Sequence, residues 1–241
     1  MYVIEHIRYK YACKQCEATV VTADKDTFAP IEKGLAGAGL LAQVITSKYA
    51  DHQPLYRLEG IFRRHDVKIP RSTMCDWMAQ IADILYPLVD LMKQRVLASK
   101  VIHTDDTPVK VQDASLDKTR IGRIWIYCGD ANDPYHVYDY MATCCREGPD
   151  DFLGNFTGYL QVDAFGGYDG IYLSKPIIEV LCNAHARRKF YEARKHDSLI
   201  SHTVLAYYKQ LYAIGKEIKA CSAAEKQAVR QARSARQSII A

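Results

Sequence analysis

Two aspartates are the residues of this chain best suited to chemistry: Asp105 in VIHTDDTPVKV and Asp163 in GYLQVDAFGGYDG. Each interrupts or ends an apolar, β-branched run that reads as a buried strand. An ionised carboxylate is costly to bury unless it is paired or bound to a metal, and two on neighbouring strands repel each other. A divalent cation between them relieves both problems. Magnesium is a hard ion that takes one or two protein carboxylates and leaves its other positions to water and phosphate. The pair therefore points to phosphoryl transfer with Mg²⁺ or Mn²⁺. The plainer alternative is that each Asp caps a strand or a turn.

Two further spacings stand out among the 8 cysteines, Cys13-x2-Cys16 and Cys182-x2-His185. Cys-x2-Cys at a turn between strands is half of a tetrahedral zinc site. No partner pair follows at a usual spacing, so either an N-terminal piece carrying it is missing or the thiols are idle. Cys75, Cys128, Cys144, Cys145 and Cys221 are scattered and read as core or surface residues. Met1 is followed at once by charged, strand-like sequence, and no apolar run approaches a membrane span. The expectation is a cytoplasmic protein, with thiols or metal ligands rather than disulfides.

The net charge of +4 hides an asymmetry. Residues 186–241 hold 12 of the 32 Lys and Arg but only 4 of the 28 Asp and Glu. A basic C-terminal part beside a carboxylate-bearing middle suits a protein that holds a polyanion near metal ions. Arg187, Arg188 and Lys189 are the candidates for phosphate contact. A solvated helical face accounts for the same charges.

Four segments position these residues. Residues 1–26 read as short strands around the Cys13/Cys16 knuckle. Residues 27–99 read as helical: GLLAQVITSKY, then PLYRLEGIFRRH opened by Pro54, a turn over 66–70, and a long amphipathic helix. Ser72 is expected as the N-cap of that helix, and Pro87 is expected to kink or divide it. Two helices, a turn and a third helix beginning with Arg71 and Ser72 form a helix-turn-helix-like pattern, which makes these two candidate DNA contacts. Residues 100–192 change period: three strands in succession, a helix or turn, a fourth strand ending at Asp163, and a fifth running into a helix. Residues 193–241 read as a basic helical insertion. Gly166-Gly167 permits a tight turn, or a close approach of a DNA backbone.

Three hairpin strands with an Asp on the first, a crossover, and a fourth strand ending in a second Asp follow the order of a ribonuclease H-like fold. The predicted class is α/β, a ribonuclease H-like mixed sheet with flanking helices. The stretches HTDDTPV, GYLQVDAFGGYDG and C-x2-HARRKFYEA resemble the motifs of the insertion-sequence-66 family of DDE transposases. The likeness covers essentially the whole chain. It implies metal-dependent cutting and joining of double-stranded DNA at transposon ends, with the ion held by two Asp and one Glu. By position the first two acids are Asp105 and Asp163, and Cys182 and His185 match a signature that supports such sites. The family usually has Glu where this chain has Asp106.

The resemblance implies that the third acid is a Glu beyond a long helical insertion, and residues 186–241 look like that insertion. Glu192, the one alternative by placement, lies 29 residues beyond Asp163 on a helix, but within the HARRKFYEA segment. The expectation is a chain cut at both ends and lacking the third acid. Two rival readings remain: a DNA-binding remnant without catalysis, and an interaction protein with neither activity. Transposases commonly act as homo-oligomers on DNA, although no heptad pattern shows it here.

Overall fold

The computed structural model describes residues 3–16, 19–22, 29–32, 34–113, 117–142, 147–164 and 166–235. Cys144, Cys145 and the last six residues of the basic tail lie outside the described residues. The chain divides into two compact units, Met1–Leu88 and Val89–Ala241.

The first unit opens with a hairpin of two short antiparallel strands, β1 (Lys10–Ala12) and β2 (Val20–Thr22). Helix α1 (Ala38–Tyr49), α2 (Leu55–Arg64) and the start of α3 (Arg71–Leu97) follow. Val44, Leu58, Phe62, Ile69 and Met74 form one buried cluster, and Ile31, Ala36, Leu41 and Ile81 a second. These positions recur at helical spacing, so burying them is what gathers the helices. The turn after α2 closes with Asp66 at φ 58°, and the Val67 N–H reaches back to the Phe62 carbonyl. Asp tolerates the left-handed region better than most residues, which suits it to ending a helix.

Two expectations for α3 need correction. Ser72 does not cap the helix: it begins at Arg71, with the Met74 N–H bonded to the Pro70 carbonyl, which puts Ser72 inside the first turn. Pro70, with its fixed φ and no N–H to satisfy, makes the entry instead. Nor does Pro87 divide the helix, which runs on to Leu97. Residues 82–90 are all exposed, so water can satisfy the carbonyl that Pro87 leaves without a partner.

The second unit is α/β. Strands β3 (Val101–Val111), β4 (Arg120–Cys128), β5 (His136–Met141), β6 (Gly158–Val162) and β7 (Ile177–Leu181) form one sheet in the order β5-β4-β3-β6-β7. β3, β4 and β5 are antiparallel neighbours, whereas β6 and β7 run parallel to β3. Helix α4 (Glu147–Leu153) makes the crossover from β5 to β6, and a 3₁₀ turn (Gly166–Tyr168) with α5 (Asp169–Ser174) makes the crossover to β7. Helices α6 (Asn183–Ala193), α7 (Ser198–Glu217) and α8 (Ala223–Val229) follow in the described chain.

Alternation along the strands sends Ile102, Trp125, Tyr127, Val137, Leu160 and Val162 into a core closed by Val96, Phe152, Leu153, Tyr168 and Ile171. The Tyr127 and Phe152 rings stack there at 3.5 Å, and Tyr168 meets Trp125 edge-on. Ile124, Tyr138, Tyr140, Tyr159 and Ile178, on the other side of the sheet, are exposed. The start of β3 is fixed by Asp130, whose carboxylate accepts the Lys100 and Asn132 N–H groups, each at 2.9 Å. These bonds hold its carboxyl below the usual range, the Lys100 N–H contributing most. No described helix is long and apolar enough to cross a membrane.

Candidate functional site

Asp105 and Asp106 sit in mid-β3, and the pleat sends them to opposite faces. Ile102, Thr104 and Asp106 turn toward the core, while His103 and Asp105 turn to the open face. The Asp105 carboxylate is held on two sides: Oδ1 accepts the Asp106 backbone N–H at 2.9 Å, and Oδ2 lies 3.7 Å from His185 Nε2. The second contact is electrostatic, being too long for a hydrogen bond. His185 Nδ1 is buried, with no hydrogen-bond partner among the described residues.

Asp163 follows β6 directly. The β3–β6 register pairs Ile102 with Leu160 and His103 with Gln161; two residues further on, Asp105 comes level with Asp163. The β6–β7 register, which pairs Val162 with Leu181, brings Asp163 level with Cys182 in the same way, and the Cys182 N–H bonds the Val162 carbonyl at 2.8 Å. Neighbouring strands lie about 5 Å apart, so the continued register sets the backbone of Asp163, just past the end of β6, beside that of Asp105 in mid-β3. Ala164 then takes φ 66°, and the backbone leaves the strand into the Gly166–Tyr168 turn. Cys182 is the N-cap of α6, and His185 lies within the first turn of that helix. The ends of β6 and β7 thus bring Asp163 and Cys182 level with the middle of β3, and of these motif side chains His185 comes within 3.7 Å of Asp105.

The two aspartates are less buried than their apolar runs predict. The Asp105 side chain is 51 % exposed and Asp163 is half-buried. Desolvation alone therefore does not demand a cation at Asp105, because the open face lets water reach it. The buried member of the motif is Asp106, 11 % exposed and ion-paired with Arg123 of β4. Beside this pair, Thr104 Oγ1 and Tyr168 Oη lie 3.4 Å apart. Burial pushes the Tyr168 and Tyr172 hydroxyls well above their usual pKa, and the charge of Asp163 adds to it. Arg123 was legible in the sequence only as a cation within the apolar run RIWIYC, a weak signal.

Other predicted residues lie elsewhere. Glu192 is on α6, two turns beyond His185 and so about 10 Å further along the helix. It lines a shallow groove with Tyr191, Arg194, Lys195 and His202. Arg187, Arg188 and Lys189 are exposed on α6. Arg71 is paired with Glu59 at 3.2 Å in the first unit, and Ser72 is exposed beside it. Cys13 and Cys16 are exposed at the tip of the β1–β2 hairpin. The Cys13 thiol is held below its usual pKa, chiefly by the Gln15 and Cys16 N–H groups and then by the Cys16 side chain. Among the described residues, no three His, Cys, Asp or Glu side chains gather as a metal-holding group.

Comparison with known proteins gives this arrangement a family. Residues 33–238 match the model described as "Transposase IS66 family". Similar curated proteins include three uncharacterized proteins of Sinorhizobium fredii. The protein y4hP is 32 % identical over 96 % of this chain and 46 % of its own length. For y4jD the figures are 30 %, 95 % and 47 %, and for y4qI 30 %, 96 % and 45 %. The chain thus spans just under half the length of the curated relatives it matches. With the family model covering most of the chain, including both aspartates and the Cys182–His185 segment, the protein belongs to the IS66 family of transposases.

Proposed function

We propose that this chain carries the DNA-cutting and DNA-joining core of an insertion-sequence transposase, on a ribonuclease H-like sheet, with Asp105 and Asp163 holding Mg²⁺ or Mn²⁺. The observation that supports it most is the parallel β3–β6 register, which, continued two residues past its last pair, sets Asp105 level with Asp163. The strand order β5-β4-β3-β6-β7 supports the fold reading. The donor set suits the ion: hard carboxylate oxygens, one of them open to water and ligand. Such an ion would polarise the phosphate and lower the pKa of an attacking water or DNA hydroxyl. The chain's own residues do the positioning. The Asp106 N–H and His185 bracket the Asp105 carboxylate, and Cys182 starts the helix that brings His185 there.

Double-stranded DNA is the proposed substrate. Arg187, Arg188 and Lys189 contact its backbone, which sets affinity without reading sequence. Arg71 and Ser72 are the proposed contacts of the three-helix segment; Arg71, itself exposed, would have to leave the half-buried Glu59, which also pairs with Arg63. In the same reading Cys13 and Cys16 are two ligands of a zinc site, and the protein acts in the cytoplasm as a homo-oligomer on DNA. The third acid is placed outside the described residues, because Glu192 sits about two helical turns from the pair's neighbour His185. The chain by itself is then weak or inactive.

The test is strand nicking and joining on the element's terminal repeats with Mn²⁺. It compares this chain, its Glu192→Gln variant and a form extended to the length of its relatives. Activity confined to the extended form, indifferent to Glu192 and abolished by Asp105→Asn or Asp163→Asn, is the expected result. Robust activity in this chain that vanishes in Glu192→Gln would sink the assignment of the third acid. DNA binding without nicking in any form would favour the second reading, a non-catalytic DNA-binding protein, which the placement of Glu192 away from the aspartates also favours.

A further inference from the structure

The Asp106–Arg123 pair is a charged contact that the proposed chemistry does not use. It lies on the core side of the sheet, directly beneath Asp105. Asp106 is 11 % exposed and Arg123 29 %, so each charge depends on the other for compensation. Arg123 stands two residues before Trp125, the strand neighbour of Asp106, and Trp125 is almost wholly buried against Tyr168. The neighbouring Thr104 is buried too, with its hydroxyl beside that of Tyr168. The Asp106 side chain is therefore anchored from below by an ion pair set in a packed aromatic wall.

The consequence for the site lies in the backbone. The residue that carries the Asp106 side chain also carries the N–H that holds Asp105 Oδ1 at 2.9 Å. Pulling Asp106 down onto Arg123 fixes the tilt of that peptide, and hence the direction of its N–H on the opposite face. His185 bounds the other oxygen of the carboxylate. We infer that Asp106 and Arg123 are positioning residues: they aim the Asp105 carboxylate at a divalent cation through the Asp106 N–H, without touching the ion. The consecutive aspartates of HTDDTP thus divide the labour, one facing the ion and its neighbour holding the strand.

This inference rests on the reading of Asp105 and Asp163 as the cation-binding pair, and the experiment separates the two. Mn²⁺ affinity is measured by electron paramagnetic resonance on the chain, well below its melting temperature. The proteins are the native chain, Asp105→Asn, Arg123→Gln, Arg123→Lys, Asp106→Asn and the double variant Asp105→Asn/Asp106→Asn. Arg123→Gln and Asp106→Asn are expected to weaken Mn²⁺ by about tenfold, the effect typical of removing a group that orients a metal ligand. Arg123→Lys should restore most of that affinity, and Asp106→Asn should add nothing once Asp105 is already Asn.

Unchanged or tighter binding in Arg123→Gln overturns the inference, since an Asp106 freed from Arg123 would then be neutral or itself a ligand. So does an Asp106→Asn effect that persists in the Asp105→Asn background. If Arg123→Gln fails to fold, the near-isosteric Asp106→Asn and its cycle with Asp105→Asn decide the matter. Mn²⁺ binding that ignores Asp105→Asn overturns the acid-pair reading, and this inference with it.

Discussion

Asp105 and Asp106 differ by one position and take opposite roles, because a strand sends successive side chains to opposite faces. Half-exposed Asp105 is open to a ligand, whereas Asp106 needs Arg123 to compensate its charge. The same core face holds Tyr127, whose hydroxyl is buried without a hydrogen-bond partner among the described residues. Burial pushes its pKa well above the ordinary tyrosine value, with the charges of Tyr168, Asp139 and Asp106 adding to the shift. A raised folded pKa means that the fold resists deprotonation more than the unfolded chain does. The stability linked to Tyr127 is therefore intact below the unfolded value of about 10 and is lost as pH rises above it toward the folded value. Urea unfolding of the native chain should show stability falling above about pH 10. Tyr127→Phe should flatten that alkaline limb, and an identical limb in the variant would refute the assignment.

At the scale of elements, the site depends on where β3 begins, and the turn after β4 decides that. Asp130 ties the Lys100 N–H to this turn, and the Ser99 hydroxyl accepts the Asp130 N–H at 3.1 Å. Gly129 lies so close to the chain that a Cβ there would overlap the Asp133 carbonyl and approach Ser99 Oγ to 2.8 Å. Because the obstacle includes backbone, the turn cannot simply move a side chain aside. Gly129→Ala is expected to destabilise the protein by about 1–3 kcal/mol, the usual cost of overpacking, read as a lower urea midpoint at unchanged slope. On the open face, Gly122 makes room in a gentler way: a Cβ would meet the Tyr140 ring at 2.7 Å. The Met141 carbonyl stands 3.0 Å from that Cβ as well, but this is wider than the 2.1 Å at Gly129 and the Tyr140 ring is exposed, so the same substitution should cost less there.

At the scale of the whole molecule, the sheet has one face packed into the core and one on which Ile124, Tyr138, Tyr140, Tyr159 and Ile178 are exposed, with Asp105 on the open side. The basic residues concentrate in the helices after β7, and α6 carries Arg187, Arg188 and Lys189 outward within two turns of His185. Reversing these three charges to Glu should weaken binding of double-stranded DNA about equally across sequences. The slope of log affinity against log salt should flatten by about 0.9 for each phosphate that is no longer neutralised. Fluorescence anisotropy at several salt concentrations makes the measurement; unchanged affinity would reduce the cluster to a solvated helix face.

The sequence by itself determined the order of the strands in the chain and the family. Apolar, β-branched runs and the change of period after residue 100 marked all five strands of the sheet, and the motifs around Asp105, Asp163 and Cys182–His185 marked the family, because such runs and motif spacing are local properties. It did not reveal that the two consecutive aspartates divide between faces with Arg123 beneath them, since a strand's buried side is set by what packs against it. It misjudged Ser72 as the cap of α3, which Pro70 begins, and Pro87 does not divide the helix, which stays exposed around it. Only the tertiary structure decided that Asp105 comes level with Asp163 and that His185 reaches back from α6 to its carboxylate. Those placements join residues 58 and 80 positions apart in the chain, and such distances are closed by strand register and crossover connections, which no local pattern encodes.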